Sequence, residues 1–121
     1  MAKSLDELLR LKGVVASGEF SADGKVKDFR SKNNELSPEV ADLTAQFAAA
    51  VSQLLGTLAV AHSKISGFSW IPEQGWAYSG GDLTIAVGGN RGVFVKTAEA
   101  DFNQLFDALI GSRQLTGAAL R

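Results

Sequence analysis

The sequence predicts an α+β domain in which helices pack on a mainly antiparallel sheet. Three observations support this: a long helical pattern in mid-chain, a hairpin pattern before it, and short glycine-separated strand patterns after it. A chain of 121 residues with 45% hydrophobic and 21% charged residues is typical of one globular domain. We therefore expect a single domain over residues 1–121, with 112–121 as a frayed tail.

A short helix is predicted at the start of the chain. Ser4 and Glu7 have the spacing of a capping box, in which each side chain caps the backbone of the other residue. Gly13 suits the left-handed position that follows a helix end. The leucines that share one face of this helix are Leu5, Leu8 and Leu9.

A β-hairpin is predicted next. The strand patterns 14–20 and 25–30 flank a turn that contains Gly24, a residue that adopts positive φ without steric cost. Val26 and Phe29 do not fit strict alternation, which indicates a β-bulge or an early end of the second strand.

The clearest element is a long helix that begins after Ser37, a good N-cap, with Pro38 at its first position. Large apolar residues recur along it at three- and four-residue steps. We expect this face to pack against the chain's own sheet. This face, called the apolar stripe below, consists of Val40, Leu43, Phe47, Val51, Leu54, Leu58, Ala61 and Ile65.

A second face of the same helix carries small residues. Small side chains let another backbone approach closely, so a helix with two buried faces needs its own sheet and something else. In so short a chain we expect the second face to contact another copy of the chain; the alternative is packing beneath the first or last helix. This face, called the small-residue stripe, consists of Ala41, Ala45, Ala48, Ser52, Gly56 and Ala59.

The second half of the chain predicts a meander of short strands and a final helix. Glycine-containing turns separate the strand patterns, as in antiparallel meanders. The final helix is expected to begin near Thr97 and to end at Gly111. The sheet should therefore have five to six strands. The four strand patterns of this half are 68–71, 75–78, 83–87 and 93–96.

Several segments resemble a small prokaryotic Roadblock/LC7-like family of unknown function. The most specific are Gly75–Asp82 and Ala86–Val95, together with the leucine-rich opening helix and Gly13–Val15. The order of elements is similar to the Roadblock/LC7 (profilin-like) sandwich. That fold has a mainly antiparallel sheet, a long central helix and short terminal helices.

This resemblance implies a homodimer whose long helices pair and whose sheets join edge to edge. It also implies a scaffold or regulator, often of small Ras-like GTPases, with no catalytic machinery. The strand pattern Val93–Lys96 before the last helix is a departure from many Roadblock domains. That departure weakens the transfer of a GTPase-binding surface to this chain.

Four residues are candidates for a partner surface. Trp70, Trp76 and Tyr78 are of the type that anchors protein interfaces, and Trp76 and Tyr78 should share one sheet face. The alternative is that these aromatic residues fill the core or a dimer seam. Arg91 lies in the loop Gly88–Gly92, where glycine amides and a guanidinium suit an anion. The alternative there is a tight β-turn.

Composition argues against several function classes. Twelve basic and thirteen acidic residues give a net charge of -1, which does not favour nucleic-acid binding. Lys25, Lys27, Arg30 and Lys32 form a basic cluster that suits either an anionic partner or an edge strand protected by charge. The apolar stretch Val40–Ile65 contains polar and charged residues, so we expect a buried soluble helix, no membrane insertion and a cytoplasmic location.

Catalytic chemistry has little basis in the sequence. The chain has no cysteine, and its single histidine, His62, lies on the long helix without a local serine or acid constellation. We predict a non-catalytic protein without a cofactor or metal. A small-ligand sensor of profilin-like or PAS-like shape, suggested by the cluster of aromatic residues and glycines, is the alternative.

Overall fold

The computed structural model describes residues 3–111, so the tail predicted at 112–121 lies outside the described residues. The α+β class is confirmed, with five strands and a long central helix. Short 3₁₀ turns occur at Lys32–Asn34 and Thr97–Glu99. The elements are α1 (Leu5–Leu9), β1 (Val14–Phe20), β2 (Val26–Ser31), α2 (Pro38–Ser66), β3 (Gly75–Ser79), β4 (Leu83–Gly88), β5 (Arg91–Lys96) and α3 (Phe102–Ile110).

The five strands form one sheet in the order β2-β1-β5-β4-β3, and all neighbours are antiparallel. β2 and β3 are therefore the two edge strands. The predicted bulge is confirmed, because Glu19 pairs with Asp28 whereas the next residue, Phe20, pairs with Val26. The extra residue on β2 is Lys27.

The first two helices start at the predicted caps. Ser4 accepts a hydrogen bond from the Glu7 amide at 3.2 Å, and the Glu7 carboxylate accepts one from the Ser4 amide at 2.9 Å. Ser37 accepts a hydrogen bond from the Val40 amide at 3.4 Å, and Pro38 occupies the first position of α2. Both signals are local in sequence, which is why the sequence predicts them well.

The helices lie on both faces of the sheet. α1 and α3 pack on one face, where Leu8 and Leu105 contact Val93 and Val95 in a buried cluster. α2 packs on the other face over Phe20 and residues nearby. Full burial of each large aliphatic side chain stabilises the fold by about 1.5–3 kcal/mol, so the first cluster is the main hydrophobic core.

The predicted strand 68–71 is not a strand. The segment folds back on the end of α2, where the Trp70 amide donates to the Ser63 hydroxyl at 2.8 Å. The Trp70 indole Nε1 donates to the Ser66 hydroxyl at 2.9 Å. Serine side chains of the helix therefore bind a segment whose aromatic composition suggested a sheet.

The last helix begins later than predicted. Asp101 is its N-cap and accepts a hydrogen bond from the Gln104 amide at 3.1 Å. The Thr97 hydroxyl instead donates to the Gly80 carbonyl at 3.2 Å and lies 3.0 Å from the Thr84 hydroxyl. Thr97 thus fastens the β3–β4 turn, and Gly111 ends α3 as predicted.

Candidate interaction site

The long helix α2 rests on the sheet through its smallest side chains. Ala45, Ala48 and Ala49 are buried in one cluster with Phe20 and Val87. Methyl groups let the helix backbone lie close to the strands, whereas large side chains would hold it away. The prediction that the apolar stripe faces the sheet is therefore wrong.

The small-residue stripe is largely covered by the chain's own fold instead. Its four alanines, Ala41, Ala45, Ala48 and Ala59, are buried within the chain. Ser52 is half-buried and accepts a hydrogen bond from the Trp76 indole. Because the four alanines are already covered by their own chain, their assignment to a contact with a second copy is corrected. For Ser52 and Gly56 that contact stays a prediction.

The apolar stripe lies on the open side of α2. Leu54 is 69% exposed and Phe47 is 64% exposed, and Leu43 and Leu58 are also exposed. Monomeric soluble proteins rarely expose so many large apolar side chains in one continuous row. The stripe is thus the strongest interaction signal on the described surface.

The second half of α2 extends beyond the sheet. Ser52 contacts Trp76 on the edge strand β3. One turn later, Gly56 has no atom within 4 Å of the position that a Cβ would take. Since the helix continues to Ser66, residues 53–66 form an overhang past β3.

An apolar cluster, called the knob, stands at the end of this overhang. Ile65 is 85% exposed and Phe68 is 76% exposed, and Trp70 and Ile71 are also exposed. The Trp70 ring lies 4.4 Å from the His62 ring at an angle of 42°. With both of its N–H groups bonded to serines, Trp70 is held in place although its ring is open to solvent. The knob consists of Ile65, Phe68, Trp70 and Ile71.

On the sheet face beneath α2, one row of side chains is only partly covered by the helix. Tyr78 pairs with Ile85, and Ile85 pairs with Phe94, so the three side chains lie side by side on the face that carries Trp76. Tyr78 is exposed, and Ile85 and Phe94 are half-buried. Of the predicted partner-surface residues, Trp70 and Tyr78 are therefore open, whereas Trp76 belongs to the helix–sheet packing.

An apolar cleft separates the first half of α2 from the sheet. Its empty volume of about 390 Å³ includes solvent at its open side. The cleft exists because Ala41, Ala45 and Ala48 above it and Gly18 and Gly92 below it have too little side chain to fill the space. The larger residues that line it include Phe20, Val26, Thr44, Ile85, Val87 and Phe94.

Arg91 has a structural role in this arrangement. Its guanidinium donates to the Leu109 carbonyl at 2.8 Å and to the Lys3 carbonyl, so it ties the end of α3 to the start of the chain. Burial lowers the pKa of Arg91. Gly89 has a φ of 61° in the two-residue connection between β4 and β5, as the tight-turn alternative predicted.

The basic cluster lies on the edge strand β2 and in the residues on either side of it. Arg30 forms ion pairs with Asp6 at 2.7 Å and Asp28 at 3.0 Å. The hydrogen bond from Arg30 lowers the pKa of Asp28, and the same carboxylate accepts the Phe29 amide at 2.9 Å. The middle of this edge is therefore covered by its own side chains, which agrees with the charge-protected alternative.

Sequence reasoning misses Phe68 and Ile71 as surface residues because it places both in a strand. It also places the apolar stripe in the core. The sequence does contain a signal for the correct arrangement, because the two faces of α2 differ in side-chain size. The face with small side chains suits close packing on the sheet, and the face with large side chains suits contact with another surface.

Solved structures share this architecture. The structure of a Roadblock/LC7 domain from Streptomyces avermitilis has a TM-score of 0.65 at 16% identity, covering 97% of this chain and 95% of that chain. The gliding protein MglB from Thermus thermophilus has a TM-score of 0.66 at 17% identity, with 94% and 81% covered. A structure described as MglB with tetrameric arrangement has a TM-score of 0.65 at 18% identity, with 94% and 86% covered.

At these identities the likeness establishes the fold, and the chain has the Roadblock/LC7 fold. Among proteins with curated functions, none matches the sequence. A family model matches nearly the whole of the described region, residues 4–110. The chain therefore belongs to the family of uncharacterized conserved proteins termed DUF2173.

Proposed function

We propose that the protein is a homodimeric, non-catalytic interaction module of the cytoplasm that acts as a scaffold or regulator. The observation that carries this proposal is the exposed apolar stripe on α2. The dimer contact differs from the one expected from sequence, because the large residues of α2, rather than its buried alanines, are open to a second copy.

The amount of exposed apolar surface suits a stable dimer. Ten of the large exposed apolar residues lie between Val40 and Ile71. At roughly 100 Å² for each half-exposed large side chain, they offer on the order of 1,000 Å². A standard interface buries about 800 Å² on each partner, so this surface is large enough for one.

The two sheet edges support the same dimer. The β2 edge carries lysines and the Asp28 cap on the Phe29 amide. In contrast, the β3 edge, Gly75–Ser79, has no charged residue. Unprotected edges are templates for strand pairing, so β3 is the edge at which a second sheet would add.

Reciprocal coverage gives a geometric reason for pairing at β3. Each copy has an overhang of α2 with no sheet beneath it, and a row at Tyr78, Ile85 and Phe94 with no complete helix cover. If two β3 strands pair, the overhang of each copy extends above the sheet of the other. One arrangement then covers both unsatisfied surfaces.

The same helix is long and apolar enough, by length and composition, to cross a membrane. In its most apolar window, 22% of the residues are buried in the described part of the chain. We interpret α2 as an interface helix instead, because its alanine face packs on the sheet with Phe20 and Val87.

Sedimentation velocity at micromolar concentration tests the dimer. We expect twice the chain mass of 12.7 kDa for the natural sequence. Phe47→Glu should give a monomer, because a charge at the centre of the stripe would lose its water on association. Gln46→Glu adds the same charge at the neighbouring exposed position and should leave the dimer intact. A natural chain that stays monomeric at 100 µM, roughly the upper end of useful affinities, would contradict the proposal.

The partner is proposed from the Roadblock/LC7 resemblance to be a small Ras-like GTPase or a multiprotein complex. Affinity capture from native lysate, once with a non-hydrolysable GTP analogue and once with GDP, tests this directly. Retention of a small GTPase in one nucleotide state is the expected result. Recovery of the bait alone in both states would remove the GTPase part of the proposal.

A small-ligand sensor is the second candidate, and the apolar cleft of about 390 Å³ is the observation that favours it. Pockets for small molecules are typically concave and mostly apolar. Binding to the native state raises the melting temperature. A thermal-shift screen of nucleotides and uncharged metabolites should therefore find a ligand, and no shift across the set would count against this candidate.

A further inference from the structure

The knob at the end of α2 and the cleft under its first half have no counterpart within the described part of one chain. We propose that the knob of one copy occupies the cleft of the second copy. This inference rests on the proposed dimer and names the residues that each copy contributes to it. The cleft is then completed by residues of the other chain.

The length of the overhang matches the distance to be crossed. Residues 53–66 extend past β3 by about 21 Å at 1.5 Å per residue. In a dimer joined at β3, the cleft of the second copy begins at β4 and extends through β5 to β1. Reaching β5 or β1 across strands about 4.8 Å apart requires roughly 14–19 Å, so the helix end arrives at the cleft.

The chemistry of the two surfaces also matches. Cleft walls at Phe20, Val26 and Phe94 are apolar, and the charged residues of the lining are Glu19 and Asp28. The knob presents Ile65, Phe68 and Ile71 without a charged group among them. Insertion of Trp70 would leave no unpaired donor, because its amide and indole N–H groups are already bonded to Ser63 and Ser66.

The interface is continuous from one end of α2 to the other. The apolar stripe begins at Val40 and ends at Ile65, which is also the first residue of the knob. A dimer that buries the stripe therefore brings the knob toward the other chain. If the knob stayed in water, the dimer would leave exposed some of its most open apolar side chains, Ile65 and Phe68.

Photo-crosslinking tests the contact directly. Phe68 is replaced by p-benzoylphenylalanine in an unlabelled chain, which is mixed with ¹⁵N-labelled natural chain so that mass spectrometry separates crosslinks between chains from those within one. We expect crosslinks between chains at 18–29, 41–48 and 85–94, the segments that line the cleft. Crosslinks between chains that fall only on other segments would overturn the proposal.

A matched pair of substitutions tests the cleft itself. Thr44 lines the cleft, so Thr44→Leu should fill part of it and raise the dimer dissociation constant at least tenfold. Gln46→Leu adds a leucine at a neighbouring exposed position of α2, outside the cleft, the stripe and the overhang, and should alter that constant less than threefold. Circular dichroism confirms that both variants fold. Equal constants for the two variants would refute an occupied cleft.

Binding of indole, a mimic of the Trp70 side chain, distinguishes a cleft filled by a second copy from one that is open to small molecules. In the monomeric Phe47→Glu variant it should shift the amide resonances of Gly18 and Gly92, and in the natural dimer it should not. Equal shifts in both samples would show a cleft open to small molecules in the dimer, which overturns the proposal. If the natural chain is a monomer, the proposed dimer itself is contradicted. If it is a dimer with crosslinks elsewhere, only the contact between knob and cleft is contradicted.

Discussion

The indole Nε1 of Trp76 donates a hydrogen bond to the Ser52 hydroxyl at 3.0 Å, and this bond joins α2 to the edge strand β3. Both residues are half-buried. The contact lies where the helix leaves the sheet, so it fixes the start of the overhang. It therefore links the fold of one chain to the surface proposed for the second.

Loss of the Ser52 hydroxyl should destabilise the fold. Ser52→Ala leaves the Trp76 N–H without a partner in a half-buried place, which costs about 1 kcal/mol of unfolding free energy. Ser66→Ala is the control at the exposed Trp70, where it removes a serine–indole bond and also the bond that Ser66 accepts from the exposed Phe68 amide. Urea unfolding of both variants, in the monomeric Phe47→Glu background, measures the difference. A larger loss for Ser66→Ala would contradict the assignment.

A methyl group at Gly13 should be poorly tolerated. Gly13 has a φ of +80°, and a Cβ there would lie 2.7 Å from Glu99 Cβ. We expect Gly13→Ala to lower the free energy of unfolding by about 1–3 kcal/mol. At Gly81 φ is not positive and no atom lies within 4 Å of a Cβ, so Gly81→Ala should cost much less. Chemical denaturation distinguishes the two, and equal effects would refute the steric argument.

Arg91 should control the end of α3. Arg91→Met keeps much of the side-chain length but removes the donors to the Leu109 and Lys3 carbonyls. We expect a loss of about 1–2 kcal/mol, since hydrogen bonds from charged groups are stronger than neutral ones and Arg91 is partly solvated. Hydrogen exchange should become faster in α3, whereas Arg10→Met, at an exposed position, should leave that exchange unchanged. Unchanged exchange in Arg91→Met would show that the bonds do not hold the helix end.

Local signals account for what the sequence predicts correctly. Ser37 and Pro38 act within one turn of their helix, and Gly24 lies within its own hairpin. The bulge near Val26 is visible as a break in alternation between neighbouring residues. Each of these features is decided by contacts a few residues apart, so a single sequence contains the relevant information.

The errors concern contacts that periodicity does not encode. The two stripes of α2 show two special faces, but the choice of which face meets the sheet depends on how close the backbones approach. The segment around Trp70 has a strand-like composition. Its bonds to serines seven and four residues earlier and its contact with the His62 ring hold it against the helix instead. Arg91 bonds to Lys3, 88 positions away in the chain, which no local pattern reveals.

Acid should weaken the N-terminal capping box. Hydrogen bonds from the Ser4 backbone and side chain lower the pKa of Glu7 below its ordinary value of 4.5. Because the folded-state pKa is depressed, this contribution to stability is fully present above the unfolded value and is lost as pH falls through the folded value. Glu7→Gln keeps an acceptor for the Ser4 amide but does not titrate. Unfolding free energies of the two chains, measured by urea denaturation from about pH 7 to about pH 2.5, should therefore converge below the ordinary value. A difference that stays constant across this range would show that the carboxylate charge of Glu7 does not stabilise the start of α1.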